Sequence, residues 1–179
     1  MAHGKLIALC GLPGAGKSEV QRILHASFGV VPVDDGFPMR DFAMRHLGAM
    51  HDDVFTPAGK ERLMRFDPER RNRQFLGDFG VWLETYFGDN VIPEMALRRM
   101  EPGKSYSIGV RRMQGRYLKS HGALVADVQR PGLEQVHSFD SYDRTPCTLT
   151  IPNIGTIEDL RARVEYIFGP WLTGHTPNI

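Results

Sequence analysis

A chain of 179 residues falls within the size range of one domain and is long enough to bury a core without disulfides. With 41% hydrophobic and 24% charged residues, its composition excludes a disordered or fibrous chain. The net charge of +1, from 22 Lys plus Arg against 21 Asp plus Glu, supplies no global field for holding nucleic acid or an anionic membrane, so neither is expected as a partner.

Leu6-Ile7-Ala8-Leu9-Cys10 is a short apolar run ending at Gly11, which predicts a central strand buried on both faces. Beyond a glycine-rich turn, Val20, Ile23, Leu24 and Phe28 recur at helical spacing up to Gly29. Residues 30–33 predict a second strand near a sheet edge, because Pro32 has no N–H to give to a ladder. Helices are then expected over 38–49, from Pro57 to about residue 66, over 70–87, over 92–100 and over 107–120. In the 70–87 helix, Phe75, Phe79, Trp82, Leu83 and Tyr86 are expected to face the core, against the weakening effect of Gly77 and Gly80.

Residues 123–128 form a third apolar strand that carries an acid, Asp127, and 148–151 a fourth. The closing helix is expected over 156–168, stopped by Gly169-Pro170, with a loose tail after Thr173. Short buried strands alternating with helices predict an α/β fold, a parallel sheet between helical layers, as one domain with a helical insertion at about 38–120. Cys10 and Cys147 read as small core residues rather than a bridge or metal pair. With no charged leader and no apolar stretch of roughly 18 residues, a soluble cytoplasmic protein is expected.

Gly11-Leu12-Pro13-Gly14-Ala15-Gly16-Lys17-Ser18 fits G-x-x-x-x-G-K-[ST] at every fixed position and lies between a strand and a helix. The glycines let backbone N–H groups converge on phosphate oxygens, Lys17 reaches the β and γ phosphates of ATP, and Ser18 ligates Mg²⁺. Phosphate contacts are expected from Gly11, Pro13, Gly14, Ala15, Gly16, Lys17, Ser18 and Glu19. Asp127 is read either as the acid that serves the metal or as a strand-end carboxylate capping the next turn. Asp34 and Asp35 either hold an acceptor and act on its proton or simply make a turn with Gly36. Arg40 is read as an acceptor-phosphate ligand or as an ordinary surface arginine.

With these residues in place, the chain resembles the deoxynucleoside monophosphate kinases common in bacteriophages, P-loop kinases related to dephospho-coenzyme A kinase and adenylate kinase. Pro38-Met39-Arg40 resembles that family's Pro-Leu-Lys segment, and Arg70 with Gln74-Phe75-Leu76-Gly77 its Arg…Gln-x-Leu-Gly helix. Asp127-Val128-Gln129 is similar to its Asp-Val-Arg strand end, with Arg130 one place late and Gly132-Leu133 where Asn-Glu is usual. The segment from Asn153 to Leu160 is similar to its Asn-x-Gly-Thr-x-x-x-Leu motif.

The resemblance implies that Arg40, Arg70 and Gln74 line the acceptor nucleotide, that Asp127 serves the metal, and that Asn153, Gly155 and Thr156 border the adenine of ATP. Asp34, Asp35 and Arg130 complete the expected acceptor side. Because residues 131–146 lack an arginine-bearing lid strand, the transition-state arginines are sought among Arg98, Arg99, Arg111 and Arg112, with Asp35 as a further catalytic candidate. The expected activity is an ATP- and Mg²⁺-dependent nucleoside monophosphate kinase, possible as a homodimer and acting in the host cytoplasm if phage-encoded. The alternatives are a kinase of a hydroxyl-bearing metabolite with Asp34 or Asp35 as base, and a nucleotide-dependent switch or hydrolase working on a macromolecule.

Overall fold

In the computed structural model, which describes residues 4–174, the apolar run Leu6–Cys10 (β1) is a strand with every residue buried. Val31–Val33 (β2), Tyr106–Gly109 (β3), Leu124–Gln129 (β4) and Leu149–Pro152 (β5) complete a sheet in the order β2-β3-β1-β4-β5. Every pairing is parallel. β1 is therefore central and β2, with its donor-less Pro32, lies on an edge, both as the sequence predicts.

The helices are Lys17–Phe28 (α1), Phe37–His46 (α2), His51–Phe55 (α3), Pro57–Lys60 (α4), Asn72–Phe87 (α5), Val91–Leu97 (α6), Gln114–Ser120 (α7) and Ile157–Thr173 (α8), with a 3-10 turn at Ser138–Asp140. The chain divides into two units, one of residues up to 34 and from 96 onward, the other of residues 35–95. The first contains the whole sheet. On one face, Val20, Ile23 and Leu24 of α1 and Leu160, Val164 and Phe168 of α8 pack on Ile7, Leu9, Ala126, Val128 and Ile151. On the other, Leu118 of α7 with Ala96 and Met100 covers Ala8, Ile108, Val110 and Val125. The result is a three-layer α/β fold, each fully buried aliphatic side chain contributing roughly 1.5–3 kcal/mol.

Local chemistry fixes the ends of the helices. Gly29 closes α1 in the left-handed region at φ 67°, giving its N–H to the His25 carbonyl. Thr156 opens α8 with a capping box: its hydroxyl accepts the Asp159 N–H, and the Asp159 carboxylate accepts the Thr156 N–H. Contrary to expectation, α8 runs through Gly169-Pro170 to Thr173. Pro170 gives no N–H to the turn before it, and in the last turn the Thr173 hydroxyl donates to the Gly169 carbonyl at 2.8 Å.

Three further expectations need correction. Residues 107–120 are not one helix: Tyr106–Gly109 is a buried strand between β2 and β1, and only Gln114–Ser120 is helical. The helix from Pro57 stops at Lys60, because the chain folds back on itself, with Met64 N–H donating to the Arg70 carbonyl and Asn72 N–H to the Arg62 carbonyl. In α5 the buried positions include Gly77, Gly80 and Glu84, whereas Trp82 and Tyr86 are 46% and 69% exposed. The rings pack against one another at a tilt instead, Phe42 on Phe79, Phe79 on Trp82 and Trp82 on Tyr86.

Cys10 is buried and Cys147 half-buried, both as free thiols, and burial pushes the Cys10 thiol upward. No helix among the described residues is long and apolar enough to cross a membrane. The tail beyond residue 174 lies outside the described residues.

Candidate functional site

The loop between β1 and α1 takes its shape from glycine. Gly11, Gly14 and Gly16 have φ of 138°, 81° and 105°, backbone that L side chains avoid. Gly11 also passes so close to β4 that an added Cβ would stand 2.5 Å from the Val128 carbonyl oxygen. Between them the Ala15 N–H closes a turn on the Leu12 carbonyl at 3.1 Å. No side chain caps the start of α1, so its first N–H groups are presented with the positive end of the helix dipole.

Lys17 folds back over this loop, its ammonium donating to the Gly11 carbonyl at 2.5 Å and the Leu12 carbonyl at 3.0 Å. Ser18 is exposed, and Glu19 is tied to Arg22 one turn on. From the end of β5, Asn153 reaches the loop: its side-chain N–H donates to the Ala15 carbonyl at 2.8 Å, and its backbone N–H to the Gln129 carbonyl at 2.6 Å. Gly155 and Thr156 are exposed at the start of α8.

Asp127 lies on β4 opposite Cys10, the residue before the loop, and is 1% exposed. Its Oδ1 accepts the Tyr142 hydroxyl at 2.9 Å, and its Oδ2 accepts the Gln129 amide at 2.7 Å and the Arg144 guanidinium at 2.9 Å. Burial, then the bond to this carboxylate, pushes the Tyr142 phenol up to about 12. Sequence reasoning passed over Tyr142 and Arg144. Nothing local marks them; they meet Asp127 only because residues 138–145 dock on Arg112.

That docking is made of backbone. Arg112 N–H donates to the Ser141 carbonyl at 2.6 Å, and the Arg112 carbonyl accepts the Asp143 N–H at 2.8 Å. Arg112 sits at φ 44°, the one side-chain-bearing residue with positive φ among the described residues, in the link between β3 and α7. Arg116 adds an ion pair to Asp143. Arg98 and Arg99 lie just past the end of α6, where the Arg99 guanidinium holds the Asp34 carbonyl at 2.6 Å. Arg130 is exposed beyond β4.

The remaining expected residues belong to the 35–95 unit. Arg40 lays its guanidinium over the Phe55 ring at 5.2 Å. Arg70 and Gln74 converge on Asp78, at 3.9 Å and 3.1 Å. Asp35 opens this unit ahead of α2.

Among the described residues no group of three or more His, Cys, Asp or Glu gathers to cage a metal. The Ser18 hydroxyl and Asp127 carboxylate are hard oxygen donors, and one or two of these suit a magnesium ion held mainly by phosphate and water. The donor set therefore fits Mg²⁺ carried on a nucleotide.

No family model and no curated protein matches the chain. Solved structures do. The chain is similar to the dephospho-CoA kinase from Campylobacter jejuni, at a TM-score of 0.54 and 14% identity, over 96% of this chain and 98% of that one. It is also similar to the shikimate kinase from Acinetobacter baumannii in complex with shikimate, at a TM-score of 0.53 and 16% identity, over 96% and 94% of the two chains. At such identities the likeness establishes the fold. The chain has the three-layer α/β architecture of P-loop kinases, with a five-stranded parallel sheet.

Proposed function

We propose that this chain is an ATP-dependent phosphotransferase that converts a nucleoside monophosphate, of the deoxy series, to its diphosphate. The observation that carries the reading is the loop from Gly11 to Ser18: left-handed glycines, an uncapped helix start and a lysine beside them, on the fold of two known kinases.

The loop amides and the first turn of α1 would grip the β and γ phosphates, with Lys17 turning from its own carbonyls to the phosphate oxygens. Magnesium, when held by Ser18 and Asp127, neutralises charge on the transferring group. An oxygen of the acceptor phosphate forms a bond to the γ-phosphorus as the bond from phosphorus to the β–γ bridging oxygen breaks, and ADP leaves with the electron pair. That acceptor oxygen is already anionic, so no general base is required. Catalysis then rests on alignment and charge neutralisation, to which Arg98 and Arg112 contribute, while Arg40, Arg70 and Gln74 hold the acceptor.

A second reading, a hydroxyl-bearing acceptor deprotonated by Asp34 or Asp35, is favoured by one observation: both acids follow β2 in a parallel sheet whose C-terminal strand ends also carry the phosphate loop. Purified chain with Mg-ATP, offered each ribo- and deoxynucleoside monophosphate and a panel of polyols and hydroxy acids, separates the two. New nucleoside diphosphate with equal ADP is expected. Turnover of a hydroxyl acceptor alone supports the second reading, and ATP loss with no acceptor, stimulated by protein or nucleic acid, overturns both.

A further inference from the structure

Asp127 is a carboxylate 1% exposed, and a charge so deeply buried requires compensation. It has three side-chain donors, and they are not equivalent. Tyr142 and Gln129 are half-buried neutral groups, the first on Oδ1 and the second on Oδ2. Arg144 supplies the counter-charge, on Oδ2 at 2.9 Å, from a side chain that is 62% exposed. A guanidinium reaching in from solvent can swing back out at small cost, whereas the phenol cannot.

Mg²⁺ at Asp127 needs a carboxylate oxygen, and Oδ2 already carries a full positive charge within hydrogen-bond distance. Two cations at one oxygen repel, so each weakens the hold of the other. We propose that Arg144 is a displaceable counter-cation: it neutralises Asp127 until the magnesium of an incoming nucleotide takes the same oxygen. Tyr142 holds the other oxygen throughout and keeps the carboxylate aimed. The strained backbone of Arg112, bonded on both sides to residues 141–143, fixes the segment that carries Tyr142, and Arg144 stands exposed just beyond it.

This rests on the phosphate-loop reading above, and it makes Arg144 a positioning residue with a readout independent of turnover. The measurement is calorimetric binding of a non-hydrolysable ATP analogue across a magnesium series, for the unaltered chain, Arg144→Ala, Arg144→Gln and Asp127→Asn with and without Arg144→Ala. The magnesium–nucleotide equilibrium in solution is common to all and cancels in the ratios. Losing the competitor is expected to lower the half-saturating magnesium about three- to tenfold, the range of a charge-assisted bond with one exposed partner. In the Asp127→Asn background, Arg144→Ala is expected to change nothing. Equal magnesium half-points in the unaltered chain and both Arg144 variants overturn the proposal, as does an undiminished shift in the Asp127→Asn background. If Arg144→Ala does not fold, Arg144→Gln, which keeps a donor without the charge, carries the same comparison. Should the unaltered chain take up no nucleotide at any magnesium concentration, the phosphate-loop reading itself falls and this one with it.

Discussion

Asn153 gives its side-chain N–H to the Ala15 carbonyl at 2.8 Å, and the same nitrogen stands 2.4 Å from the point a Cβ on Gly16 would occupy. Glycine at position 16 is thus required twice, once by this contact and once by its φ of 105°. Gly16→Ala is expected to destabilise the chain by about 2–4 kcal/mol, the sum of a left-handed penalty and local overpacking, and to remove triphosphate binding. Adding Asn153→Ala should recover the overpacking part and leave roughly 1–2 kcal/mol. Denaturant unfolding of the four chains measures this, and strict additivity would mean that the two residues do not touch.

Lys17→Met tests the chemistry without testing the fold. The ammonium is bonded to the Gly11 and Leu12 carbonyls, and neither is its only means of support, since the loop is also held by Asn153 and by the turn at Ala15. The variant is expected to unfold within a few degrees of the unaltered chain. Its transfer rate should drop by about a hundredfold or more, the loss typical of removing one preorganised donor from developing charge. Full activity in that variant would sink the proposed function.

Tyr142 makes a prediction about alkali. Its folded pKa is pushed up to about 12, above the ordinary value of roughly 10, because the neutral phenol is buried and donates to Asp127. A raised folded value means that the stabilisation is fully present below pH 10 or so and is lost as the pH rises towards 12. Tyr142→Phe leaves Oδ1 of a buried carboxylate short of a donor and should cost about 1–3 kcal/mol at neutral pH. The gap between the two chains should then close through that alkaline window. A pH-independent gap in denaturation midpoints would count against the bond.

What the sequence reveals follows how far each signal travels along the chain. Leu6–Cys10, the glycine loop and the start of α1 are legible because strand, turn and helix are consecutive, and every residue that shapes them is a neighbour. β3 is hidden because its four residues contain Ser107 and Gly109 and because residues 111–120 after it read as a polar helix. Only pairing with β1 and β2 on both sides makes it a strand. Asp127 was visible as an acid in an apolar run, but its partners Tyr142 and Arg144 lie in an irregular segment with no pattern of its own. The two acids at 34 and 35 were legible as a pair, and their roles stay with the proposal.

β3 can be tested directly. Ser107 is fully buried, and its hydroxyl has no hydrogen-bond partner among the described residues, while Ile108 beside it packs with Ala8 and Val110. Ser107→Ala removes a buried, unsatisfied polar atom and should be neutral or stabilising by up to about 1 kcal/mol. Ile108→Ala opens a cavity at a buried position of this internal strand and should cost about 2–5 kcal/mol. In an exposed helix both changes would be small, so near-equal effects would contradict the strand.

The last test concerns α5, where pattern and structure disagree most. Helical spacing of its aromatic residues predicts a core face, yet Trp82 is 46% exposed and the glycines are the buried positions. A Cβ at Gly80 would stand 3.4 Å from the Met39 sulfur and 3.6 Å from Ile92 Cδ1, room for a methyl and no more. Gly80→Ala should therefore be neutral or stabilising by up to about 1 kcal/mol through helix propensity, whereas Gly80→Leu should cost about 1–3 kcal/mol from overpacking. Trp82→Ala loses ring contacts with Phe79 and Tyr86 and should cost about 0.5–1.5 kcal/mol, well below the roughly 3–5 of a buried tryptophan. The helix is amphipathic with its small face inward, because close approach of backbones fills space as well as large side chains do. Unfolding measurements in which Trp82→Ala costs more than Gly80→Leu would reverse that orientation.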